Sequence, residues 1–435
     1  MGETVAPAGE GWGFARRVGF RFAFCYFGLY FYSYALGLLP WNAPALWNMQ
    51  QWRRFVPWVG ESVLHLEQRI TVFPAGSGDT TYNYVELLCF VALAAAATLA
   101  WTLVDWRSRD HRRLHVGLCI LLRYVVGVTL IGYGMAKVIQ TQFPAPNPFR
   151  LEQRYGDSSP MGLLWTFMGF SYGYNLFAGL AETLGGVLLF YRRTTTLGAL
   201  WLVGVMANVV ALNFFFDVPV KLYSSNLLLA SAFLALPDAG RLWNVLVARR
   251  ATLPAPLPRF RWGWAELLRP WLATAYLGWI LYNQTLQGRE FQRQLGSDLP
   301  RSPLHGSYLV VDFSRENEDV PDEDPACWRH VRIEPSGFVI VSSADGKQRM
   351  YRYEASAAGD TIKLWPSAGG IGIGAPPPAA SNAPAFELEL VWNDPEHLDL
   401  AGELEGQLIV AQMKKRTYLL QDRGYHWISE EPFNR

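Results

Sequence analysis

Cysteine is scarce in this sequence: only four of its 435 residues. Cys25, Cys89 and Cys119 sit inside apolar runs and Cys327 stands alone in the polar last third. No CxxC or metal-ligand spacing joins them, so neither a disulfide framework nor dithiol redox chemistry is supported. An excess of one charge is missing too. The net charge is +1, and no Lys/Arg run is interleaved with aromatics, which argues against nucleic acid as a partner. The histidines include no HExxH and no paired i, i+4 His/carboxylate set; the single Glu61–His65 spacing comes nearest and reads as a solvated face, so no metal site is expected. A phosphate-binding Gly-Lys loop, a dinucleotide fingerprint and a nucleophile elbow are also lacking.

What the chain has in quantity is apolar length. Hydrophobic residues make up 51% and aromatics 14%, and the 18 Trp, 20 Tyr and 25 Phe fall mostly at the ends of apolar runs, as in the aromatic belts of membrane proteins. Seven stretches have the roughly 17 to 25 residues a bilayer crossing needs: about 20–39, 85–104, 116–138, 173–191, 196–216, 220–236 and 270–286. The first follows Arg16 and Arg17 but has no small-residue cleavage site before Pro40, so it reads as a retained anchor rather than a signal peptide. With the N-terminus cytoplasmic, 13 loop arginines fall on that face against 5 (Arg53, Arg54, Arg69, Arg150 and Arg154) on the other, which favours that orientation. Seven crossings then place everything after about Leu286 outside, in a multi-pass protein of a bacterial inner membrane. In the long first loop, Pro57 to Val72 is expected to form an amphipathic interfacial helix anchored by Trp52 and Trp58. Met161 to Phe170 is too short to span.

From Arg301 the pattern changes to period two. Residues 308–311, 331–333, 338–341, 386–390, 408–411 and 418–420 read as short strands, and Ser367 to Pro384, rich in Ala, Pro and Gly, as a flexible excursion. The expected fold is therefore a membrane all-α helical bundle of about seven transmembrane helices followed by a small antiparallel all-β barrel or sandwich. Its divisions are 1–115, an N-terminal membrane region; 116–236, a four-helix core; 237–300, a cytoplasmic loop and the last crossing; and 301–435, an extracytoplasmic β domain.

Ionisable groups within apolar spans are costly unless paired or hydrated, and so mark candidate sites. Arg123 lies about eight residues (~12 Å) and Glu182 about ten (~15 Å) from the cytoplasmic ends of their helices, so a buried Arg123–Glu182 pair is expected, fixing helix register or serving a ligand. A second layer holds Lys137, Asn213, Asp217 and Lys221, with an anion-binding mouth and simple snorkelling as its two readings. Asn208 is placed between the layers. Gly127, Gly132, Gly134, Gly179, Gly185 and Gly186 read as close-packing positions, since small residues let helices approach in lipid.

Arg123, Gly132-Tyr133-Gly134-Met135-Ala136-Lys137, Gly179-Leu180-Ala181-Glu182-Thr183-Leu184-Gly185-Gly186 and Arg192-Arg193-Thr194 together resemble the DoxX family of four-helix membrane proteins, over about 116–236. Tyr155-Gly156-Asp157-Ser158-Ser159-Pro160, Asp217-Val218-Pro219-Val220-Lys221 and the ending Arg423-Gly424-Tyr425-His426-Trp427 with Glu431 to Arg435 resemble a larger bacterial subset of it. That resemblance implies membrane redox association with quinone as cofactor or ligand, in a pocket lined by Arg123, Glu182 and Asn208. The residues leave two alternatives. One is a non-catalytic envelope or complex component whose 301–435 domain binds a protein partner through Tyr425-His426-Trp427. The other is an enzyme on a lipid-borne substrate with Lys137 as base, whose plan is broadly similar to vitamin K-dependent carboxylases. Membrane lipid is a partner in every reading.

Overall fold

The computed structural model describes residues 11–37, 43–72, 76–107, 110–253, 263–295, 303–334, 337–356, 359–367, 386–428 and 430–431. Most of the expected 367–384 excursion, Arg109, Arg259 and Arg261 of the orientation count, and the last four residues of the ending lie outside them. The helices run α1 (Phe14–Gly37), α2 (Ala43–Ser62), α3 (Thr81–Val104), α4 (Arg112–Val138), α5 (Pro148–Glu152), α6 (Pro160–Phe170), α7 (Tyr172–Phe190), α8 (Thr195–Phe215), α9 (Lys221–Ala235), α10 (Ala239–Leu246) and α11 (Gly263–Leu295). Two compact units result. One comprises Met1–Gln142, Ser159–Trp165 and Tyr172–Gly288; the other comprises Phe143–Ser158, Thr166–Ser171 and Arg289–Arg435.

In the helical unit, four helices among the described residues are long and apolar enough to cross a membrane: α3, α4, α7 and α8. The other three expected crossings are helical but fall short of that standard. Arg16, Arg17 and Arg21 interrupt α1. At 15 residues, α9 reaches only ~22 Å of the ~30 Å hydrocarbon thickness. Charges at both ends of the 33-residue α11 include Glu266, Arg269, Arg289, Glu290 and Arg293. The helix expected over 57–72 lies earlier: α2 ends at Ser62, and residues 63–72 are turns, bends and irregular chain. His65 adopts a positive φ of 50° and the chain doubles back so that Ile70 packs on Gly60, which stops the helix from continuing to Val72. Phe27, Phe31, Leu122, Val126, Leu130, Leu202, Met206 and Leu227 form the apolar centre between α1, α4, α8 and α9.

The β unit is built on β1 (Gly306–Arg315), β2 (Glu318–Asp319), β3 (Trp328–Glu334), β4 (Phe338–Ser343), β5 (Gln348–Ala355), β6 (Thr361–Pro366), β7 (Phe386–Trp392), β8 (His397–Leu404) and β9 (Gln407–Lys415). The two-residue β2 pairs antiparallel with the end of β1, β1 then pairs with β3 and each later strand with the next, all antiparallel, and β9 returns to β1 from Tyr308↔Lys415 to Arg315↔Ile409. The result is a closed eight-stranded antiparallel barrel, the size at which inward side chains just fill the interior. Tyr308, Val331, Tyr351, Ile362, Leu388, Leu398 and Ala411 do so, all but inaccessible to solvent. The strand expected at 418–420 is instead a helical turn, Leu419–Asp422. By that point β9 has already closed the barrel on β1, so no edge remains to receive another strand, and Asp422 accepts a hydrogen bond from the Tyr418 amide.

Candidate functional site

The closest helix contact is a glycine seam between α4 and α7. A Cβ built on Gly134 would stand 2.5 Å from the Gly179 carbonyl oxygen, and one on Gly186 would stand 2.7 Å from that of Gly127. Gly185 is similarly pressed by Leu202 of α8, whereas Gly132 meets only the tip of Gln284 at 3.5 Å. In this antiparallel register Gly134 faces Gly179 and Gly127 faces Gly186, so Ile131 is level with Glu182. Helical side chains lean toward the N-terminus of their own helix. Lys137, six residues above Ile131, leans down; Glu182 leans up; the two meet. The Lys137 ammonium donates to the Glu182 carboxylate at 2.8 Å, with the side chains only 8% and 3% exposed. It also donates to Gln142 Oε1 at 3.0 Å.

The expected Arg123–Glu182 pair is therefore not formed. Arg123 lies eight residues below Ile131, about 12 Å along the axis, and the two side chains lean away from each other. Arg123 Nε instead donates to the Leu189 carbonyl at 2.9 Å, capping the C-terminal end of α7, where a cation is favoured by the helix dipole. Nor does Lys137 belong to the layer of Asp217 and Lys221. Asn208 is exposed on α8 and links nothing between them; its place on the helix turns it away from the α4–α7 seam.

Asn213, Asp217 and Lys221 lie together where α8 meets α9, with a further member, Asp79, that the sequence reading missed. Val220 offers α9 no side-chain cap, and Asp79 supplies one from a distant loop, accepting the Lys221 and Leu222 amides at 2.7 and 3.0 Å. Lys221 Nζ reaches Asp217 at 2.8 Å and Asp79 at 3.9 Å. Asn213 donates to Ser224 Oγ at 3.0 Å, tying α8 to α9. The only signal for Asp79 was its place in the turn-rich approach to α3, beside Gly78, whose amide bonds the Pro219 carbonyl at 2.7 Å.

On the opposite side of α4 from the seam, a cavity of about 840 Å³ opens between α1, α2, α3, α4 and α9. Val125, Thr129 and Tyr133 of α4 line it at four-residue spacing, one stripe of that helix. Five tyrosines reach it: Tyr30, Tyr34, Tyr82, Tyr133 and Tyr223. Tyr34 stacks on Tyr223 with centroids 5.0 Å apart, and the Tyr223 hydroxyl lies 3.3 Å from Thr129 Oγ1. Glu86, one turn into α3, accepts from the Tyr82 hydroxyl at 3.2 Å and turns its carboxyl group toward the cavity, with Arg53 also on the wall. The helix carrying Glu86 is started by a capping box, Thr80 with Asn83. Arg123, Lys137, Glu182 and Asn208 do not line this cavity. Glu86 lies within an expected span and was passed over; a carboxylate four residues after a tyrosine at the start of an apolar helix was the available signal.

In the β unit the outer face of β1 and β3 carries a buried polar group. Arg332, 2% exposed, lies 3.5 Å from Glu152 Oε2; Glu152 Oε1 accepts from Ser307 and, at 2.8 Å, from the Tyr418 hydroxyl. Phe149 stacks under the Arg332 guanidinium. Burial pushes Glu334 above and His330 below their ordinary values, driving both toward neutral forms. Tyr425, Trp427 and Ile428, by contrast, are 78%, 90% and 78% exposed, and so take no part in the barrel core. Among the described residues no group of His, Cys, Asp and Glu is arranged to hold a metal ion.

No family model matches the chain, and no solved structure does. A curated relative described as "Uncharacterized protein YwoB", from Bacillus subtilis (strain 168), is 34% identical over 138 residues, 32% of this chain and 88% of that protein. At that identity, across nearly all of the smaller protein, the chain belongs to the same family as YwoB.

Proposed function

We propose that the chain is a DoxX-like, multi-pass bacterial inner-membrane protein whose helical unit binds an amphipathic ring compound, a quinone or a similar hydrophobic ligand, in the tyrosine-lined cavity. In this reading α1, α9 and α11 complete seven crossings, the N-terminus is cytoplasmic and the β unit extracytoplasmic. The observation that carries it is the composition of the cavity wall: tyrosine faces for a planar ring, hydroxyls of Thr129 and Tyr223 as donors to ring carbonyls, and Glu86 as acceptor for ring hydroxyls. The 840 Å³ volume suits a headgroup with part of its tail. The ligand site thus shifts from Arg123, Glu182 and Asn208 to the far side of α4. Lys137, held by Glu182, offers no free amine, so the lipid-enzyme reading loses its base.

Trp52 lines the cavity and gives a direct test. A short-chain quinone titrated into the detergent-solubilised full chain should quench tryptophan fluorescence saturably, and Glu86→Leu should weaken that binding about tenfold, the loss of one hydrogen bond to a charged group. A linear, non-saturating response identical in wild type and variant would sink the proposal.

The exposed Tyr425, Trp427 and Ile428 favour a second reading, a protein partner bound through the β unit. Photocrosslinking from position 427 in the full chain in its native membrane should trap a discrete adduct that Tyr425→Ala with Ile428→Ser removes. Uniform background labelling would count against it.

A further inference from the structure

Where α4, α7 and α11 converge, three guanidinium groups gather. Arg123 of α4 feels the charges of Arg192, just past the end of α7, and of Arg269 on α11. Arg269 hydrogen-bonds Tyr124 and senses Glu266, and the Arg123 guanidinium lies 5.9 Å from the Tyr124 ring centroid. The carboxylate facing this group is Glu266, bound through both oxygens by Arg192 Nη1 at 3.0 Å. Among the described residues, three cations thus share the Glu266 carboxylate.

Two of those cations also carry unused donors. Arg123 spends Nε on the Leu189 carbonyl and Arg192 spends Nη1 on Glu266, but the Nη2 of each is buried with no hydrogen-bond partner among the described residues. Arg123 is only 5% exposed. A buried guanidinium nitrogen left unsatisfied is costly, and it is doubly so beside other positive charges in a low dielectric. The surroundings are rigid: Tyr191 bonds Thr274 at 2.9 Å, and Ile131, Phe190, Leu277 and Ile280 pack beneath as an apolar floor.

We propose that Arg123, Arg192 and Arg269 form a binding site for a phosphoryl group, with the orphaned Nη2 donors pointing to its oxygens. A tetrahedral anion with several equivalent acceptor oxygens is what converging planar forks recognise best. The group is either the phosphodiester of an anionic lipid or free phosphate. This site is separate from the tyrosine cavity and does not depend on its occupant.

The test uses the delipidated full-length protein in detergent, with native mass spectrometry of added phosphatidylglycerol against phosphatidylcholine, and with inorganic phosphate as competitor. Wild type should hold phosphatidylglycerol at least about tenfold more tightly than phosphatidylcholine, with phosphate displacing it, and Arg192→Gln and Arg269→Gln should each cost about tenfold. Glu266→Gln removes the competing carboxylate and should tighten binding, a gain that a merely structural role would not produce. Phosphate binding with no lipid preference assigns the site to free phosphate. If neither probe binds, or if binding is the same in the double variant Arg192→Gln/Arg269→Gln with unaltered gel-filtration profile, the proposal is overturned.

Discussion

Glu182→Leu is expected to lower the unfolding free energy of the detergent-solubilised protein by about 3–5 kcal/mol, because it strands the Lys137 ammonium, 8% exposed, without its carboxylate. The companion double variant Lys137→Met/Glu182→Leu should recover most of that loss. Removing both charges removes both desolvation costs, and replacing a buried pair with apolar groups of similar volume is often neutral or better. Arg123→Met gives the control: if Arg123 were the partner of Glu182, it and Glu182→Leu would fall by similar amounts and their effects would not add. An unfolding titration in sodium dodecyl sulfate reads these proteins together with the double variant Arg123→Met/Glu182→Leu. Equal stability of Glu182→Leu and wild type would falsify the pairing.

Gly134→Val should be comparably severe. A Cβ at that position already stands 2.5 Å from the Gly179 carbonyl oxygen and 2.8 Å from the Thr183 amide, and both are backbone atoms that cannot rotate aside. The only relief is to separate α4 from α7. Overpacking costs roughly 1–3 kcal/mol where side chains can adjust and more where backbone must move, and here separation also lengthens the Lys137–Glu182 contact. In lipid, where burying apolar surface gives little association energy, close backbone approach is much of what holds the pair together. Gly132→Ala, facing only the Gln284 tip at 3.5 Å, should be close to neutral. The contrast between the two glycines, only two positions apart in the sequence, is measured by the same titration.

The two examples show where the sequence was legible. Apolar runs, polar residues inside them and glycine stripes depend on one-dimensional spacing, and five of the six glycines named from spacing alone press against a neighbour. Pairing depends on direction as well. Depth along the membrane put Arg123 near Glu182, but the lean of side chains on antiparallel helices sends Glu182 to Lys137. Glu86 was missed because a single carboxylate in an apolar run shows nothing of the four tyrosines that α1, α4 and α9 bring to it. In the barrel, β5, β6 and β8 escaped notice because Arg349, Arg352, Lys363 and Asp399 alternate outward and dilute the apolar signal to every second residue. Tyr418-Leu419-Leu420 has a strand's composition, but whether it joins a sheet depends on whether an edge is open, which only closure of β9 on β1 decides.

The β unit is discontinuous in the chain, and this constrains how the chain can be threaded through a bilayer. Phe143–Ser158 belongs to the same compact body as Arg289–Arg435, and Glu152 in the first piece is locked to Ser307, Arg332 and Tyr418 in the second. If the apolar helices cross a membrane, a body assembled from three separate pieces of polypeptide has to lie on one face of it. The segment between Ser158 and Arg289 must then cross an even number of times: with α7 and α8 as crossings, α9 and α11 either both traverse or both do not. On such a path the sidedness of the barrel would be bound to the loop after α4 rather than to the total number of helices.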